Sequence, residues 1–296
     1  MIDILVTSER KGSNPGGKCT LQFREQTIDA YIKYCTNSHL QKNHPFKPHN
    51  QPVYEAITLT LAKYFGLEVP RYFLLLNQDH HSVSFRYSDH SIAKKPLDPS
   101  KNCYLLSEIT KLPDCEDQEK LVAEMNAEKV YRDLLMIGDV SNKKQNYALL
   151  DPSNYQLTSA HGAPYIFYID LGCSFVDAHE GNIDQRNSVS KLVNLDSDGI
   201  ISSSRKHVAR TTAYLERYGI WTTHKDATKR YVINLSQIPK LVYTMTLPTL
   251  SGERITANKL LSTSELELIE LLFTVNIAEV AHDYLKNEKT NAIVHL

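Results

Sequence analysis

Within the first 109 residues, short apolar or alternating runs recur between clusters of turn-forming residues, and this recurrence most narrows what the chain can fold into. Residues 2–6 form an apolar run, and residues 8–17 (Ser-Glu-Arg-Lys-Gly-Ser-Asn-Pro-Gly-Gly) are rich in turn formers. Residues 18–23 alternate, a polar turn follows at 24–26, and residues 28–34 make another β-rich run. Three runs at hairpin spacing predict an antiparallel meander with a glycine-containing loop at one hairpin. Residues 36–52 are polar and read as a loop. A helix is expected from about Val53, because Tyr54, Ile57, Leu61 and Phe65 recur at helical spacing. Gly66 suits a helix C-terminus, and Pro70 prevents resumption. Further strands are expected at 71–76, 82–87 and 103–109.

From about Glu116 the periodicity changes. Residues 116–137 read as a long helix, and two β-like runs at 147–150 and 165–170 flank a loop. The remainder reads as helical, over 203–218, near Pro239, and in a final helix. Ser262 and Glu265 there form a capping-box pattern ahead of Leu266, Ile269, Phe273 and Ile277. The expected class is α+β, with a β-rich region at 1–109 and a mainly helical one at 110–296. No internal repeat is present.

Composition narrows the function classes. The 296 residues are 42% hydrophobic, enough for a large core or two smaller ones. Lys and Arg number 33 against 34 Asp and Glu, which excludes a globally basic nucleic-acid binder and an acidic disordered chain. The five cysteines (Cys19, Cys35, Cys103, Cys115, Cys173) are odd in number and never in a CxxC pair, and read as reduced thiols. No HExxH or paired i,i+4 histidines suggest zinc. The N-terminus reads as too short and too early acidic for a signal peptide, and no run of eighteen apolar residues suggests a transmembrane segment. The expectation is a cytoplasmic protein.

The placement of charge carries more. Lys33 interrupts the apolar run Ala-Tyr-Ile-Lys-Tyr on an expected central strand, a place from which lysines are depleted. Either it lies on a solvated face, or it is directed into a cleft to neutralise phosphates. Glu55, near the start of the expected helix, suits the helix dipole and would equally serve as the partner that orients Lys33. Beyond the long helix, Gly138-Asp139 opens a polar loop that ends at Asn146, and the apolar strand before Asp170-Leu171-Gly172 follows. An Asn and an Asp on adjacent loops supply oxygen ligands for a divalent cation, and a further Asp can accept a hydroxyl proton. Phosphoryl transfer requires this inventory of phosphate-covering loop, Lys, metal-binding pair and base.

On these residues the sequence resembles the atypical branch of the protein-kinase superfamily, including bacterial HipA-like kinases and phosphatidylinositol-kinase-like proteins. Tyr54-Glu55-Ala56 through Gly66-Leu67-Glu68-Val69-Pro70 is similar to a HipA-type helix, Ile169-Asp170-Leu171-Gly172 to the metal-binding motif of lipid-kinase relatives, and Gly138-Asp139 with Asn146 to their catalytic loop. The resemblance covers residues 1 to about 180. It implies a bilobal protein-kinase-like fold, ATP as cofactor with Mg²⁺ or Mn²⁺, and a protein Ser/Thr acceptor. It also suggests a bacterial effector kinase secreted into a host cytosol. By resemblance Lys33 binds phosphates and Glu55 pairs with it. Gly12, Gly16 and Lys18 belong to the covering loop, and residues 103–108, ending at Glu108, form the hinge. Asp139 is the base, and Asn146 and Asp170 hold the metal. The sequence departs from the pattern in three places. Val140-Ser141 stands where the family has His, the Asp139–Asn146 spacing is two residues longer, and Gly12–Gly17 is not GxGxxG.

A second charged feature is local. Between residues 200 and 232, Arg205, Lys206, Arg210, Arg217, Lys225, Lys229 and Arg230 face only Glu216 and Asp226. Lys206, Arg210 and Arg217 fall near one helical face. This is either a solvated basic surface or a polyanion site, for which an inositol polyphosphate or a phosphoinositide headgroup fits better than nucleic acid. The alternatives to a protein kinase are a pseudokinase binding module and a phosphoinositide lipid kinase, with AMP transfer as a further option.

Overall fold

The structure is a computed structural model, and it describes residues 2–9, 16–23, 25–33, 47–64, 67–76, 83–89, 103–109, 119, 147–150, 165–171, 221–222, 231–234, 242–267, 269 and 292–295. Its described part is mixed α/β, dominated by sheet, with few helices. The chain divides into two units. The first is residues 1–57, 70–111 and 245–265, and the second is residues 58–69, 112–244 and 266–296. The sequence division at residue 109 therefore differs at two places: residues 58–69 belong with the second unit and residues 245–265 with the first.

The first unit is built on the meander. Strands β1 (Ile2–Glu9), β2 (Gly16–Phe23) and β3 (Gln26–Lys33) pair antiparallel in sequence order. The alternation of apolar and polar residues dictates the faces. Ile4, Val6, Cys19, Leu21, Ile28, Ala30 and Ile32 fall on one side and are buried in a common cluster with Leu75, Tyr104, Leu106 and Leu250. The other side carries Lys18 and Asp29, both exposed. There the Thr20 hydroxyl donates to Asp29 at 2.8 Å, and the Gln22 amide donates to Thr27 at 2.8 Å. Cross-strand pairs of this kind hold register without burial.

Three more strands complete the sheet. β4 (Tyr72–Leu76) and β6 (Cys103–Glu108) pair antiparallel, and β6 adds to β3. β5 (Val83–Tyr87) pairs in parallel with β1, giving the order β4-β6-β3-β2-β1-β5. β4 and β6 are apolar runs rather than alternating ones, and their residues are buried almost throughout, as strands covered on both faces must be. A hairpin of β11 (Thr246–Pro248) and β12 (Arg254–Thr256) continues into Thr249 and Leu250, which lie along β4. The Leu250 N–H donates to the Leu74 carbonyl at 2.8 Å.

Helix α1 (Gln51–Tyr64) follows a 3-10 turn at Pro48–Asn50. Pro52 sits in its first turn, where the missing N–H is no loss. Every described side chain from Gln51 to Ala62 is buried, so the helix has no solvent stripe, and Thr58 and Thr60 are buried with the apolar residues. Its end is marked by a bond from the Leu67 N–H to the Ala62 carbonyl at 2.9 Å.

In the second unit, β7 (Tyr147–Leu150) and β8 (Tyr165–Tyr168) form an antiparallel pair with Tyr147 opposite Tyr168. Glu68 bridges to Phe167, its carbonyl accepting from the Tyr168 N–H at 2.8 Å. A three-stranded sheet joins β9 (Trp221–Thr222), β10 (Tyr231–Asn234) and β13 (Ala292–His295), with β10 central and parallel to β13. These strands and the β11–β12 hairpin fall in the region read from sequence as helical. The difference has a physical reason: Tyr-Val-Ile-Asn and Ala-Ile-Val-His are runs of four, too short to show a period, and β-branched content alone marks them. The expected helices over 116–137 and 203–218 lie outside the described residues, apart from Glu119, which is helical.

Candidate functional site

Lys33 is the last residue of β3, opposite Gly16 on β2 and Leu105 on β6. It is therefore in the interior of the sheet, not at its edge, and is 6% exposed. Its ammonium forms an ion pair with the carboxylate of Glu55, in the second turn of α1 and 3% exposed. Two local rules combine to make this contact. The alternation that buries Ala30 and Ile32 on one face places Tyr31 and Lys33 on the other, and the helical start near residue 51 presents Glu55 one turn in. A lone buried charge would be strongly disfavoured, and each of these two is tolerable because the other is there.

The remaining sequence candidates are distributed as follows. Gly16 has a φ of 152°. A Cβ there would fall inside contact distance of the Ile32 carbonyl oxygen and lie 3.0 Å from Lys33 Cα. A Cβ on Gly17 would collide with the Ser8 carbonyl oxygen, beside the irregularity between Val6 and Ser8 in the β1–β2 register. Close strand approach thus accounts for both glycines. Lys18 is exposed, its ammonium 5.8 Å from the centre of the Tyr31 ring. Glu108 ends β6, and its carboxylate receives two bonds from the Arg71 guanidinium, at 2.7 and 3.2 Å. Asp170 is half-buried two residues after β8, at the end of the ladder where Tyr147 meets Tyr168. Gly12, Asp139, Asn146 and the basic residues Arg205, Lys206, Arg210 and Arg217 lie outside the described residues.

Sequence reading missed two groups near the Lys33–Glu55 pair. The first is Ser107, 4% exposed on β6, whose hydroxyl has no hydrogen-bond partner among the described residues. It lies opposite Tyr31 and two residues from Leu105, hence on the Lys33 face of the sheet. One Ser inside an apolar run gives no sequence signal. The second is Glu265, recognised from sequence only as half of a capping box. That box is present: the Ser262 N–H and hydroxyl donate to Glu265 Oε2 at 2.8 and 2.6 Å. Oε1, however, accepts from the Asn50 amide at 2.7 Å and from the Tyr54 hydroxyl. Burial pushes the Glu265 carboxyl up, but the bonds from Ser262, Tyr54 and Asn50 together outweigh it and hold the group below its ordinary value. Burial first, then the Glu265 bond and charge, raise the Tyr54 phenol far above its usual range.

Among the described residues no three His, Cys, Asp or Glu side chains gather as a metal site. Cys19 and Cys103 are buried, and neither forms a disulfide among the described residues. Burial and the nearby Asp29 charge push the Cys19 thiol up to about 12, which leaves it unreactive. Among the described residues no helix is long and apolar enough to cross a membrane.

No family model matches the chain, and no curated protein matches it. Among solved structures, the Golgi casein kinase is a match at 13% identity and a TM-score of 0.36, covering 97% of this chain and 72% of that one. It is a distant likeness to a kinase.

Proposed function

We propose that the chain is an atypical ATP-dependent kinase, with a bilobal protein-kinase-like fold, that transfers the γ-phosphate of ATP to protein Ser or Thr. The observation that carries this reading is the buried ion pair between Lys33, inside a sheet, and Glu55 on α1. A lysine held out of water beside a carboxylate is placed to meet a polyphosphate without first losing a hydration shell. In this reading Lys33 neutralises the α- and β-phosphates, and Glu55 holds the ammonium in place. The half-buried Asp170 carboxylate is a hard oxygen donor of the kind Mg²⁺ or Mn²⁺ takes, and Asn146 is assigned to the same ion. The bound ion would offset phosphate charge. Asp139 takes the proton of the acceptor hydroxyl as its oxygen bonds to the γ-phosphorus, and the bond from that phosphorus to the bridging oxygen breaks to release ADP. The basic residues Arg205, Lys206, Arg210 and Arg217 are assigned to a regulatory inositol polyphosphate or phosphoinositide headgroup.

The test is parallel incubation with γ-³²P-ATP and α-³²P-ATP, in Mg²⁺ or Mn²⁺, with and without inositol hexakisphosphate. Wild-type protein is compared with Lys33→Arg, which keeps the charge facing Glu55 but changes the donor geometry, and with Asp170→Ala. Label on protein from the γ position alone, lost in both variants, is expected. Label from the α position would replace phosphate transfer by nucleotide transfer. ATP binding without label would make the chain a binding module, and label on phosphoinositides alone would make it a lipid kinase.

A further inference from the structure

The Glu265 carboxylate joins two elements far apart in sequence. Its Oε2 closes the capping box with Ser262 at the start of the helix that begins at 263. Its Oε1 accepts from Asn50, immediately before α1, and from Tyr54, the residue preceding Glu55. Tyr54 is 1% exposed and its hydroxyl also accepts from the Lys47 N–H at 2.9 Å, so the first turn of α1 is pinned on both sides of the phenol oxygen. A helix is stiff over one turn. The position of Tyr54 therefore fixes the position of Glu55, and Glu55 is what Lys33 meets.

From this connection we infer that Glu265 is a positioning residue, holding the first turn of α1 where Glu55 can pair with Lys33. Its value for phosphoryl transfer rests on the kinase reading, but the geometric role does not. A capping box needs only Ser262 and Glu265. The Asn50 and Tyr54 bonds add nothing to that cap, and their consequence falls on α1. The 245–265 segment thereby controls the pair, and a ligand or partner that displaced it would release Glu55 from Lys33.

The two oxygens permit a test with two arms. Tyr54→Phe with Asn50→Ala severs the Oε1 bonds and leaves the cap. Ser262→Ala weakens the cap and leaves α1 pinned. Full-length wild-type and variant chains are treated with an amine-acylating reagent in the absence of nucleotide, and acylation of Lys33 is followed by mass spectrometry, with exposed Lys18 as internal reference. Global stability is measured alongside by urea unfolding. The α1 arm should raise Lys33 acylation relative to Lys18 about tenfold, the equivalent of losing a hydrogen bond to a charged acceptor, whereas Ser262→Ala should leave it within about twofold. If the double variant does not fold, Tyr54→Phe alone should give the same direction. Equal increases in both arms at matched stability, or no increase in the α1 arm, overturn the inference. ATP affinity measured on the same proteins separates the two readings. A wild type that does not bind ATP removes the kinase reading, while the acylation pattern still decides the positioning role.

Discussion

Glu55 and Glu265 are both carboxylates withdrawn from water in the same unit, and the chain satisfies them in opposite ways. Glu55 faces the ammonium of Lys33, one formal charge against another. Glu265 accepts from a backbone N–H, two hydroxyls and an amide, all neutral. A carboxylate held by fixed dipoles is self-contained, and its donors have no other demand to meet. A carboxylate held by a lysine shares its partner with any anion that approaches. The first arrangement suits an anchor, the second a site that must exchange contacts during a reaction.

The contrast can be broken by removing one member of each set. Lys33→Met leaves Glu55 buried without its counter-charge and should cost about 3–5 kcal/mol, read by urea unfolding. Lys33→Met with Glu55→Leu should recover most of that loss. A cost under about 1 kcal/mol for the single change would mean the pair is not held dry. Glu265→Gln should cost less, about 1.5–3 kcal/mol, because a neutral acceptor replaces a charged one and one oxygen is lost. Its effect also carries a pH signature. The Glu265 pKa is depressed in the folded chain, so its contribution is fully present above the ordinary carboxylate value of 4.5. It is lost as pH falls through the depressed folded value. Stability measured from pH 6 down to 2 should therefore fall less steeply in Glu265→Gln than in wild type. An unchanged slope would show that the carboxyl gains nothing from its donors.

Smaller effects sharpen the same comparison. Ser262→Ala removes one cap donor and should cost about 1 kcal/mol. Arg71→Ala breaks the bidentate pair with Glu108, whose side chains are 50% and 33% exposed, and should cost at most about 1 kcal/mol. That loss should shrink further in 1 M salt, whereas the Lys33 effect should persist, since a buried pair is little screened.

Local chemistry explains why parts of this were legible in the sequence. The meander follows from alternation, since Cys19, Leu21, Ile28, Ala30 and Ile32 share a face that a one-residue slip would turn outward. Lys33 stood out because it interrupts that pattern, and Ser262 with Glu265 because a capping box is a spacing. Each signal is carried within a few residues. Long-range pairing is not. Nothing local to 83–87 says that this strand joins β1 in parallel, and nothing near Glu265 says that its second oxygen meets Tyr54, which is 211 residues away. Gly16 and Gly17 are a further long-range case: two carbonyls on neighbouring strands leave no room there for a Cβ.

That separation of Tyr54 from Glu265 bears on how the chain is made. During synthesis the meander, β4 and β6 emerge well before Leu250 and Glu265, which bond to β4 and to the first turn of α1. Until then a strand edge and a helix terminus wait without their partners, the condition in which nascent sheets associate wrongly. Contacts of such high sequence separation also slow the final closure. The first unit is thus completed only once residue 265 has emerged, and release of the chain before that residue would leave it unfinished.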